Sequence, residues 1–60
     1  MQIQTARILQ PGMVYLSRDE WHIRIEKVKV TKKSVTITGL NEYGEQITER
    51  YTLVESVYVL

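Results

Sequence analysis

Cysteine is absent from the chain, which removes disulfides, thiolate-held zinc and thiol catalysis together. A reducing compartment suits such a chain, and a cytoplasmic location is expected. Histidine occurs once, at His22, with no second histidine or paired acid nearby in sequence, so neither a metal ligand set nor an imidazole–carboxylate pair is expected. No metal or cofactor is expected. Glycine occurs three times and proline once, too sparsely for a flexible linker or a phosphate-cradling loop. The longest uninterrupted apolar runs, residues 13–16 and 57–60, fall far short of the roughly 20 residues that cross a bilayer. The first residues also lack the charged-then-apolar order of a secretory signal, and no membrane partner is expected.

At 60 residues the chain is read as one domain, 1–60. Folding at this size buries only about 60% of the surface that the extended chain exposes. A core of that kind rarely supplies more than roughly 3–5 kcal/mol, and small domains are commonly held by disulfides, a metal or a partner subunit. The formal net charge of +1 conceals a segregation along the chain. Residues 1–33 carry seven cations against three acids, whereas residues 34–60 carry Arg50 against Glu42, Glu45, Glu49 and Glu55. Such segregation favours a partner that meets one charged face, unless the halves interleave on folding.

What is present is the two-residue repeat of strands: Trp21, Ile23 and Ile25 alternate with His22, Arg24 and Glu26. Beyond Ile25 the apolar phase slips, and Val28 and Val30 continue it only if Glu26-Lys27 holds one extra residue. That slip predicts a β-bulge, which bends a long strand so that it serves both sides of a small barrel. Turn residues then divide the chain into five strands at about 13–16, 21–31, 34–40, 46–52 and 57–60. Val35 and Ile37 are placed on the inward side of the third strand, with Thr36 and Thr38 outward. Gly44 is expected to take a positive φ in the turn 41–44. Residues 53–56 are predicted as a single 3₁₀ turn before the last strand. Residues 1–8, where Ile3 alternates with Gln2 and Gln4, are read as an edge strand or a pinned arm.

This order of strands is that of an all-β, five-stranded SH3-like small barrel. From about Leu9 onward the chain resembles the KOW-type barrels, and it is similar to the first domain of bacterial elongation factor P. The matching stretches are 9–14, 21–30 and 34–52, with Leu40-Asn41-Glu42-Tyr43-Gly44 at the position of that family's glycine-containing turn. The family carries a modified basic residue on a longer loop after the second strand, where only Lys32-Lys33 stands here. The resemblance therefore implies a fold and no translation role or modification site.

Lys27, Lys29, Lys32 and Lys33, extended by Arg24 and His22, form the best candidate surface. Cations on a ribbon and its tip neutralise phosphates. The plainer reading is that lysines keep a sheet edge soluble and unpaired. Asp19 and Glu20 are adjacent acids in a turn, which point different ways and stay hydrated rather than flanking one bond. Ser17, Ser34 and Ser56 have no base at a recognisable spacing. No catalytic residue is expected, and the protein is read as a non-enzyme.

The aromatic residues Trp21, Tyr15, Tyr43, Tyr51 and Tyr58 suggest either a groove for peptides or cations or simply a filled core. Trp21 shares the phase of Ile23 and Ile25 and is assigned to the core, whereas Tyr43 and Tyr58 are expected to be exposed. The uncharged end 57–60 closes the barrel, or pairs with a second copy if it lies at an edge. Two functions follow. The first is a compact binding module, of the kind a phage or mobile element encodes, that docks on a larger protein. The second is a KOW-type nucleic-acid-associated barrel using the 27–33 patch. Partner contact is assigned to Arg24, Lys27, Lys29, Lys32, Lys33, Tyr43 and Tyr58.

Overall fold

Ile23 and Ile25 point inward and Arg24 outward along a nine-residue strand, and the rest of the chain is arranged around it. The computed structural model describes residues 2–60; Met1, part of the expected arm, lies outside the described residues. Six strands occur: β1 Gln2–Thr5, β2 Val14–Leu16, β3 His22–Val30, β4 Ser34–Leu40, β5 Gln46–Thr52 and β6 Ser56–Val59. They form one antiparallel sheet in the order β1-β6-β2-β3-β4-β5.

Two expectations are corrected here. The sheet has six strands rather than five and is open, because β1 and β5 are its edges and no ladder joins them. The expected 3₁₀ turn at 53–56 is present as one i→i+3 turn and not as a helix, with Glu55 N–H donating to the Thr52 carbonyl at 3.4 Å. The Glu55 carboxylate accepts from Thr52 N–H at 2.8 Å and its carbonyl accepts from Ala6 N–H at 2.8 Å, and these bonds hold the turn in place. The 3₁₀ helix of the fold is Ala6–Ile8, directly after β1.

The bulge falls where the apolar phase slips. Ile25 pairs with Gly39 and Lys27 with Thr38, which leaves Glu26 as the extra residue. Bulges increase local twist, and here the strands approach so closely that a Cβ on Gly39 would collide with the Arg24 carbonyl and lie 2.7 Å from Ile23 Cγ2. Only glycine fits opposite Ile25.

Curling brings strands that are not neighbours in the sheet together across the core. Tyr15 of β2 and Tyr51 of β5 meet edge to face, their centroids 6.1 Å apart. Around them Ile23, Ile25, Val35, Ile37 and Val57 are buried, with Ala6 and Leu9 from the 3₁₀ helix and its exit. Trp21, assigned to the core from its phase, is only partly buried at its rim, where its ring meets Tyr43 edge to face at 5.1 Å. The uncharged 57–60 segment is no edge, since β6 lies between β1 and β2.

Candidate binding face

Paired residues in an antiparallel ladder project to the same side, so the register assigns the outer face residue by residue. Arg24 of β3 stands between Val14 of β2 and Leu40 of β4. The adjacent row runs His22, Leu16, Tyr58, Ile3 across β3, β2, β6 and β1. Beyond the bulge, Lys27 pairs with Thr38 and Thr38 with Thr48, while Lys29 pairs with Thr36 and Thr36 with Arg50. The outer face therefore has an apolar half and a cation–threonine half, with Arg24 at their border.

The apolar half is open to solvent. Ile3 is 61% and Tyr58 47% exposed, and Val14, Leu16 and Leu40 are half-buried without packing on the core. Leu60, exposed beside them, donates its N–H to the Val14 carbonyl at 2.9 Å. An open groove of about 420 Å³ follows the border, its apolar floor formed by Val14 and Leu40 and its rim by His22, Arg24, Asn41 and Glu42. Glu42 is engaged within the fold, accepting His22 N–H at 3.1 Å, with its carboxylate 4.0 Å from His22 Nδ1. Arg24 has no ion-pair partner among the described residues.

Of the candidate residues, the structure brings together Arg24, Lys27 and Lys29 on the outer face of β3. Lys32 and Lys33 cap the tip between β3 and β4, held by the Thr31 hydroxyl, which accepts Ser34 N–H at 3.0 Å and Lys33 N–H at 3.3 Å. Tyr58 shares the outer face but belongs to its apolar half. Tyr43 is not part of this surface: it is 74% exposed at the opposite end of β3, against Trp21. Arg50 was not singled out from the sequence because it sits in the acidic half of the chain, although its alternation with Glu49 and Tyr51 marks it as outward. Val14 and Leu16 carry no such mark, since a four-residue apolar run does not show which members face out, whereas Leu40 shares the outward phase of Thr36 and Thr38.

A second cluster lies on the inner side. Tyr15 and Tyr51 both donate their hydroxyls to Glu49 Oε1, at 2.7 and 2.6 Å, and Arg18 N–H donates to Glu49 Oε2 at 3.3 Å. The Arg18 guanidinium lies 4.3 Å over the Tyr51 ring, donates to the Arg50 carbonyl at 2.8 Å and pairs with Glu55 at 3.2 Å. Burial first, and the Glu49 bond second, push both tyrosine pKa values well above the ordinary range. The cluster's donors and acceptors are spent on each other, and it clasps β2 to β5 across the open seam.

No group of three or more potential metal-binding side chains occurs among the described residues, and no helix there is long and apolar enough to cross a membrane. No protein-family model, curated protein or solved structure matches the chain.

Proposed function

We propose that the chain is a small, non-enzymatic binding module that docks on a larger protein in the cytoplasm through the outer face of its sheet. We read its bulged meander, curled until β2 meets β5, as an SH3-like small barrel whose last seam is held by side chains. One observation carries the docking reading. Val14, Leu16, Leu40, Tyr58 and Ile3 lie side by side on the outer face, Ile3 and Tyr58 exposed and the other three half-buried outside the core, beside an Arg24 with no ion-pair partner among the described residues. Tyr and Arg beside apolar side chains are the residues that dominate interface energies, whereas isolated exposed apolar residues carry no such meaning.

The test is affinity capture, after nuclease treatment, with the wild type and a Leu16→Asp/Tyr58→Asp variant. Both positions are outward but Leu16 is half-buried, so capture is compared at a temperature where both chains give the same β spectrum, and the variant should lose a stoichiometric protein partner. Identical proteins recovered by both baits would remove the reading.

The cation–threonine half supports a second reading, contact with nucleic acid. Arg24, Lys27, Lys29 and Arg50 share the outer face, Lys32 and Lys33 extend it, and none has an ion-pair partner among the described residues. Phosphate binding of this kind weakens steeply between about 50 and 200 mM salt. Labelled DNA and RNA should show that slope, and a Lys29→Glu/Lys32→Glu variant should reduce it. Absence of saturable binding at both salt concentrations would exclude it.

A further inference from the structure

The two edges of the sheet differ in a way that points to an assembly. Edge strands expose unpaired backbone groups, and proteins guard them with charges, especially inward-pointing ones. The β5 edge is guarded in this manner, for Glu49 lies on its inner side and Arg50 on its outer side. The β1 edge, Gln-Ile-Gln-Thr, has no charge and no proline, and its ladder with β6 is regular.

Bond alternation shows which groups of β1 are free. Ala6 N–H donates to the Glu55 carbonyl on the β6 side at 2.8 Å. In an antiparallel ladder alternate residues bond to the same neighbour, so Gln2 and Gln4 are directed to β6, Ile3 turns its N–H and C=O outward and Thr5 its N–H, while the Thr5 carbonyl, as N-cap of the 3₁₀ helix, accepts its first bond.

We infer that β1 pairs antiparallel with β1 of a second copy, about a two-fold axis at Gln4. In that register Thr5 N–H of each copy donates to the Ile3 carbonyl of the other, and Ile3 N–H faces the second lone pair of the Thr5 carbonyl. A second copy fits because β1 brings no charge to the axis, while the cations of β3 stand beyond β6 and β2. Two-fold self-addition closes on itself, and the guarded β5 edges stop growth at two. The pairing also gives a domain with no disulfide the partner subunit that small cores commonly need. This inference stands independently of the docking reading, since it uses the strand edge rather than the sheet face.

Sedimentation velocity of the full chain, from low to several hundred micromolar, should show the mass of two chains at the upper end. Hydrogen exchange followed by NMR should find the Ile3 and Thr5 amides protected only where the dimer is populated. Thr5 has φ −76° and ψ 147°, which proline accommodates, so Thr5→Pro removes one outward donor per copy and should give a monomer with an unchanged β spectrum. Gln4→Lys sets like charges at the axis and should shift the equilibrium to monomer, less so at high salt. A one-chain mass throughout would overturn the inference. So would a dimer whose Ile3 and Thr5 amides exchange freely, or one that survives both substitutions.

Discussion

Glu49 points into the curled sheet and is tolerated there because two tyrosine hydroxyls and the Arg18 amide satisfy it. Hydrogen bonds to a charged group are worth about 1.5–3 kcal/mol, so Tyr15→Phe should lower stability by about that amount in urea denaturation. The same contacts set an alkaline limit. A tyrosine whose pKa is raised on folding contributes stability in full below its unfolded pKa of about 10 and loses it as pH rises above that value. Thermal midpoints should therefore fall above pH about 10, and fall less in Tyr15→Phe. Glu55 behaves oppositely, its pKa lowered first by Thr52 N–H and then by Arg18. Its contribution is present at neutral pH and is lost as pH falls through the carboxylate range. Neither cluster was legible in the sequence, because Tyr15, Arg18, Glu49 and Glu55 meet only after the sheet has curled.

At the scale of single elements, alternation was enough to place Ile23, Ile25, Val35 and Ile37 inside and to locate the bulge at Glu26. Ile37→Ala should cost about 2–5 kcal/mol, most of the stability of so small a domain, while Thr36→Ala on the outer face should cost far less by chemical denaturation. Gly39 looked like any strand glycine, since its need arises from the close crossing of β3 and β4. Gly39→Ala should therefore destabilise the fold more than Thr36→Ala, visible as a lower thermal midpoint. The place of β6 between β1 and β2 was not legible either, because period-two alternation states which face a residue takes and not which strand it joins. The turn at 53–56 was legible as one i→i+3 turn, but its bond to Ala6 was not, because Ala6 lies far from it in the chain.

Across the whole molecule, the halves of the sequence interleave on folding and charge separates anew, by face and by turn. Arg24, Lys27, Lys29 and Arg50 occupy one outer face, while Asp19, Glu20, Glu42 and Glu45 occupy the two turns beside the start of β3. Half of the candidate site was legible, namely the cations, because they alternate along one strand. The apolar half was legible only at Leu40, which shares the phase of Thr36 and Thr38, because Val14 and Leu16 take their outward side from pairing with β3 and not from any local pattern. The proposed docking on a protein would make this apolar half the centre of contact, with Arg24 at its margin.

The most direct measurement places a photo-crosslinking residue at Tyr58, on the apolar face, and separately at Val54, which is 80% exposed in the turn between β5 and β6. In cells that make the protein, the Tyr58 position should yield one discrete adduct with another protein, abolished by Leu16→Asp, and the Val54 position should yield none. The same adducts from both positions, or a Tyr58 adduct indifferent to Leu16→Asp, would contradict docking through this face.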